Sequence, residues 1–209
     1  ADLFAGAGAI VVEGGPGRRP SAGQLLEAIA GCTAQEIVVL PNDPDSVRAA
    51  RVAASTAESD GAAHGLRISV IPTEAQVQGL AAIAVHEPGR AFEQDVTEMT
   101  ATARHVKHGA VTVAVKEAMT SAGPCRPGDV LGVIAGDFVV IGDDQAQVAT
   151  DVLARLLASG GELVTLVKGE RAGDIAERAA AWVQEQHPHV DVVVYDGGQE
   201  RYPLLMSVE

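Results

Sequence analysis

Aromatic side chains are nearly absent from this chain: three Phe, two Tyr and one Trp make up 3% of its 209 residues. Without rings on which successive bases could stack, a platform for single-stranded nucleic acid is excluded. Positive charge is short as well. Fifteen Lys and Arg stand against 28 Asp and Glu, a formal net charge of −13, so a nucleic-acid backbone or an anionic membrane surface would be repelled. The only cysteines, Cys32 and Cys125, lie far apart without CxxC spacing. That argues against a disulfide framework or a cysteine zinc site and for a reducing, cytoplasmic compartment. No apolar run reaches the roughly 18 residues of a membrane-spanning helix. The opening Ala1-Asp2-Leu3-Phe4 has no basic segment of the kind that begins a secretory signal. Because it does not start with Met, the chain is expected to be a piece of something longer.

What is present is a globular mixture, 47% hydrophobic and 21% charged, long enough for one large domain or two small lobes. The organising stretch is Glu36 to Ser46. Glu36-Ile37-Val38-Val39-Leu40 reads as a strand buried on both faces and ended by Pro41. Asp43 then caps the next helix, and Pro44 suits that helix's first position because its missing N–H would be unpaired there anyway. Ala9 to Glu13 repeats the logic, running through Gly14-Gly15 to Ser21, which with Gln24 forms a capping box. Arg67 to Ile71 does so again, followed by Pro72 and Thr73, with Gln76 three residues on. Three short apolar strands, each leaving into a capped helix, predict parallel strands joined by helical crossovers.

The fold class expected is therefore α/β and two-lobed. The first lobe, residues 1–88, is a parallel sheet with helices at 21–30, 44–59 and 74–85, and Pro88-Gly89 marks its end. The second, residues 89–209, is mixed α/β. It reads as a helix over 91–108, a strand over 110–115, a loop over 119–126 and a hairpin over 129–141 turning at Gly136-Asp137 as a type II′ pair. A helix opened by Asp144, a strand over 162–168, a helix over 172–186 and strands over 190–195 and 204–208 complete it.

Open α/β sheets bind ligands outside the carboxyl ends of their strands. In the first lobe that edge would carry Glu13, Gly14, Gly15, Ser21, Asn42, Asp43, Thr73 and Gln78. Helix N-termini converging there suit a carboxylate, a phosphate or an acidic loop of a partner, although the same residues would serve simply as caps. Gly14 to Ser21, with Arg18 and Arg19, reads either as a phosphate cradle or as a surface loop; it lacks the lysine and spacing of a Walker loop. His105 with His108, and His187 with His189, could be metal ligands or could serve the dipoles of helix C-termini, and no metal site is expected. No nucleophile has an adjacent base, no GxSxG occurs, and no carboxylates cluster to hold Mg²⁺ beside ATP. The chain by itself reads as noncatalytic and without a cofactor.

Several segments taken in order carry a family resemblance. They are Ile-Val-Val-Glu-Gly-Gly (10–15) with Pro20-Ser21, Val-Leu-Pro-Asn (39–42), Ile-Pro-Thr (71–73) with Gln78 to Ala82, His105 to Gly109, and the ending Tyr202 to Glu209. Together they resemble the C-terminal domain of bacterial dihydroxyacetone-kinase-like proteins, the family that includes the catalytic component of fatty acid kinase. The resemblance implies a two-lobed fold like that of DegV-type fatty-acid-binding proteins and the dihydroxyacetone-binding part of dihydroxyacetone kinase. It also implies a preceding kinase domain that holds ATP and Mg²⁺, absent from this chain, and a DegV-like partner whose bound fatty acid is phosphorylated on its carboxylate. This domain would help dock that partner; the alternative is a lobe that binds a small molecule or phosphate. Relatives commonly continue Gly-Gly with Gln-Thr where this chain has Pro16-Gly17-Arg18-Arg19, so any contact made by that Gln and Thr is lost here.

Overall fold

The computed structural model describes residues 2–15, 18–61 and 65–209, and the chain forms two compact units, Ala1–Arg104 and His105–Glu209. In the first unit, β1 (Glu36–Val39) and β2 (Arg67–Val70) pair in parallel, Glu36 opposite Arg67 and Val39 opposite Val70. The crossover between them is α3 (Ser46–Gly61). Because successive side chains of a strand point to opposite faces, the two short strands feed two separate apolar clusters. Ile37, Val39 and Ile68 pack with Ile29 of α2 (Ala22–Ala30) and with Ala53 and Ala57 of α3. Val38 and Leu40 pack on the other side with Ala82 of α4 (Gln76–Ala84) and with Met99 and Ala103 of α5 (Phe92–His105). Alanines on α3, α4 and α5 let the helices sit close to so small a sheet. A short α1 (Asp2–Gly6) precedes them.

Two expectations for this unit change. The apolar run 9–13 pairs with no strand among the described residues, so the parallel sheet has two strands and not three. A strand added to this sheet would have to cover alternate side chains on both faces, yet the adjacent Ile10 and Val11 are 68% and 39% exposed. The division between units also falls after Arg104 rather than at residue 88. Pro88-Gly89 is only the turn between α4 and α5, and α5 belongs to the first unit because its Met99 and Ala103 complete that unit's second cluster.

The second unit is a six-stranded sheet under two helices. The strands are β3 (Lys107–Val113), β6 (Val130–Ile134), β7 (Asp137–Gly142), β8 (Leu163–Gly169), β9 (Asp191–Gln199) and β10 (Leu204–Val208), in the order β7-β6-β3-β10-β8-β9. All neighbours are antiparallel except β8 and β9, which α7 (Ile175–Gln186) connects as a parallel pair. Together with α6 (Gln145–Leu157) it covers the core formed by Val111, Val164, Leu166, Leu204, Met206 and Val208. Two glycines let α6 settle on the sheet. A Cβ at Gly109 or Gly132 would stand 2.7 or 2.5 Å from a methyl of Val152. Lys107 donates to the carbonyl of Leu156 and to Ser159 Oγ, each at 3.0 Å, and so caps the end of α6. Asp144 caps its start, accepting from the Gln147 N–H at 2.8 Å.

Here too there are differences in detail. The β6–β7 turn is Ala135-Gly136, with φ of +48° and +88°, a type I′ turn whose hand matches the strand twist, and not the II′ pair Gly136-Asp137. The segment 119–126 holds a small hairpin, β4 (Ala118–Thr120) and β5 (Gly123–Cys125), anchored by Cys125 on Leu131.

Candidate functional site

Both strands of the first unit end on the same edge, and the loops that follow them are tied together. Asn42, just beyond β1, has φ of +58°, a left-handed backbone that Asn tolerates better than most residues. Its N–H donates at 2.9 Å to Oγ1 of Thr73, beyond β2, which is fully buried. Thr73 therefore joins two loops and does not cap α4 as expected; the cap position belongs to Ala75, which offers no side-chain acceptor. The Asn42 amide lies against α4 at Gly79, where a Cβ would come within 2.0 Å of Oδ1, so glycine is required for the approach. That Oδ1 is buried and has no hydrogen-bond partner.

Asp43 caps α3, although the helix starts at Ser46 and not at Pro44. Its Oδ2 accepts from the Ser46 N–H at 3.0 Å and from the Ser46 hydroxyl at 2.7 Å. The same oxygen takes an ion pair from Arg19 Nε at 2.7 Å, and the other arm of Arg19 reaches Asp45 at 2.8 Å. Arg19 is thus a strap holding the glycine loop to the start of α3. With its guanidinium already facing two carboxylates, the loop is less suited to a phosphate; Pro16 and Gly17 lie outside the described residues. Ser21 caps α2 in the full capping box with Gln24. Gln24 Nε2 also donates to the Glu13 carbonyl at 3.3 Å, and Gly14 turns so tightly that a Cβ would overlap the Arg19 backbone. Gly15, with φ of +94°, continues the reversal. Gln78 accepts from the Glu74 N–H at 2.7 Å and donates to the Ala103 carbonyl at 3.2 Å, a brace between the β2–α4 loop and α5.

The structure therefore joins Asn42 and Thr73 directly and seats Asn42 on α4. It links Asp43 to the glycine loop through Arg19. Most polar groups of the edge are spent on one another, and among its described residues the one buried acceptor without a hydrogen-bond partner is Asn42 Oδ1.

A second polar cluster has no motif in the sequence. Asp95, 6% exposed, accepts from His86 Nδ1 at 2.6 Å, from Arg90 Nη1 at 3.2 Å and from the Glu87 N–H at 3.2 Å. Burial raises the pKa of its carboxyl, but the hydrogen bonds from His86 and Glu87 and the charges of His86 and Arg90 outweigh that and hold it below the ordinary aspartate range. The cluster closes the α4–α5 turn. Only the position of an acidic residue in the first turn of α5 hints at it in the sequence. Among the described residues no three His, Cys, Asp or Glu side chains gather as metal ligands would; His187 and His189 stand 6.2 Å apart, ring to ring.

The two α/β units, with a polar edge at the strand ends of the first, place the chain in the fold class of DegV proteins and dihydroxyacetone kinases. It is similar to a DegV family protein from Eubacterium eligens loaded with heptadecanoic acid (TM-score 0.68, 16% identity, 91% of this chain and 78% of that one). It is equally similar to the Fatty Acid Kinase (Fak) B3 protein of Streptococcus pneumoniae loaded with linoleic acid (TM-score 0.67, 16% identity, 91% and 76%). The dihydroxyacetone kinase of C. freundii matches with a TM-score of 0.62 at 16% identity over 90% of this chain and 42% of that one. The chain belongs to the FakA-like C-terminal family of fatty acid kinase, whose model matches residues 1–209. Protein YloV of Bacillus subtilis is 28% identical over 211 residues, and the chain spans 37% of its length.

Proposed function

We propose that this chain is the noncatalytic docking domain of a fatty-acid-kinase-like protein. It receives an acyl-carrying DegV-like partner, so that a kinase domain elsewhere in the same polypeptide, holding ATP and Mg²⁺, can phosphorylate the fatty-acid carboxylate. This would take place in the cytoplasm, without membrane insertion or nucleic acid. The observation that carries the reading is the build of the strand-end edge in a chain of this family: polar groups paired with one another present a preorganised surface, and preorganisation lowers the ordering cost of protein association. A second reading is a small-molecule or phosphate-binding lobe; the one unsatisfied acceptor of the edge, Asn42 Oδ1, is buried against Gly79 and would have to be uncovered to meet a ligand donor.

The test is calorimetry with the fatty-acid-loaded DegV-family protein of the same organism. Asn42→Leu keeps approximate volume and removes the amide, and should weaken binding by roughly five- to a hundredfold, the equivalent of about 1–3 kcal/mol. Glu185→Gln, on the exposed side of α7, should bind like wild type. If Asn42→Leu remains folded and binds as tightly as wild type, Asn42 and its neighbours are only structural and the docking surface lies elsewhere.

A further inference from the structure

Two imidazoles stand together where α7 ends. His187 is the C-cap of that helix, its N–H donating to the Val183 carbonyl at 2.7 Å, and His189 follows two residues on. The Val190 N–H donates back to the His187 carbonyl at 2.9 Å, so residues 187–190 form a β-turn. Pro188 occupies the second position of that turn, where its fixed φ already fits, and this stiffens the segment that carries both rings. The rings lie 6.2 Å apart, centre to centre and close to edge-on, and the ring of Trp182 lies 5.6 Å from that of His187. Among the described residues neither imidazole has a hydrogen bond or an ion pair, so their ring nitrogens are free to ligate.

The surroundings favour a cation. The last carbonyls of α7 carry the negative end of the helix dipole. Between Arg178 and Arg201 the chain has four acidic residues, Glu185 and Asp191 nearest the turn, and no Lys or Arg. Imidazole donors suit Cu²⁺, Ni²⁺ and Zn²⁺, whereas Mg²⁺ and Ca²⁺ take oxygen. Two nitrogens at about 2.0–2.1 Å from one ion would bring the ring centres about an ångström closer than they stand, a shift that side-chain rotation can supply. We propose that His187 and His189 form a site for a divalent transition metal, with water completing the coordination, and that the ion clamps the end of α7 to the start of β9.

The only tryptophan of the chain reports on the site, because paramagnetic Ni²⁺ or Cu²⁺ at His187 quenches a ring this close. The experiment titrates the whole chain, free of any polyhistidine tag, with NiCl₂, CuCl₂ and MgCl₂ while Trp182 fluorescence is followed, for wild type, His187→Gln and His189→Gln. Wild type should show saturable quenching by a single ion well below millimolar metal, tighter for Cu²⁺ than for Ni²⁺ and absent with Mg²⁺. Each variant should weaken binding at least about tenfold, since even residues that merely orient a metal ligand cost that much. Should the cap variant His187→Gln lose its fold by circular dichroism, His189→Gln, at an exposed position, still decides the matter. Ni²⁺ should also raise the wild-type thermal midpoint, as any ion does that prefers the folded chain. Quenching that persists unchanged in folded His189→Gln, or that saturates only at millimolar metal, overturns the site. Binding to the urea-unfolded chain as tight as to the folded one, with no thermal shift, reduces the chelator to the bare His-Pro-His sequence and overturns the clamp.

Discussion

Single residues at the strand-end edge do work that composition does not announce. Thr73 is a buried acceptor for the Asn42 N–H, and Thr73→Val would leave that backbone donor unpaired at nearly constant volume. The expected loss is about 1–3 kcal/mol of stability, read as a lower denaturant midpoint with an unchanged slope. Asp43 combines a cap with the Arg19 ion pair, so Asp43→Ala should cost roughly 0.5–2 kcal/mol, while Arg18→Ala, exposed on the same loop, should cost under about 0.5. Equal midpoints for the two variants would remove Asp43 from the cap. Asp43 was legible as a cap because a short acceptor before Pro and an amphipathic run is a local signal. The partner of Thr73 was not, because Asn42 is 31 residues away along the chain.

At the scale of elements, β1, β2 and α2 follow from sequence pattern with ends shifted by a residue or two, since apolar runs and capping boxes are written in neighbouring residues. The segment 9–13 shows where that logic stops: Ile10 and Val11 have the composition of a strand, but a strand exists only where another offers its edge. The α4–α5 turn is a second such case, held by Asp95. Because the carboxyl of Asp95 titrates below its ordinary value in the folded chain, its contribution to stability is present above the unfolded pKa of about 3.9 and is lost as pH falls through the folded value. Wild type should therefore lose stability as pH is lowered from 5 toward about 3. Asp95→Asn should start lower at pH 7 and show a shallower decline over that range. Parallel pH curves from denaturant titrations would mean that Asp95 does not couple folding to protonation.

For the whole molecule, the proposed division of labour predicts that the purified chain, given ATP, Mg²⁺, a fatty acid and the DegV-family protein, releases no ADP above a blank without protein. ADP release that scales with the amount of chain would overturn the noncatalytic reading. Most of the elements in their order, though not the hairpin β4–β5 or the absence of a strand at 9–13, together with the α/β class and the family, could be read from the sequence, because they depend on local periodicity, caps and motifs that keep their spacing. The tertiary structure alone decided that the parallel sheet has two strands, that α5 completes the first unit, and that Arg19, Asn42, Thr73 and Gly79 join three separate loops into one edge. Pairings across tens of residues are set by which surfaces can be buried together, a competition settled in space and not along the chain.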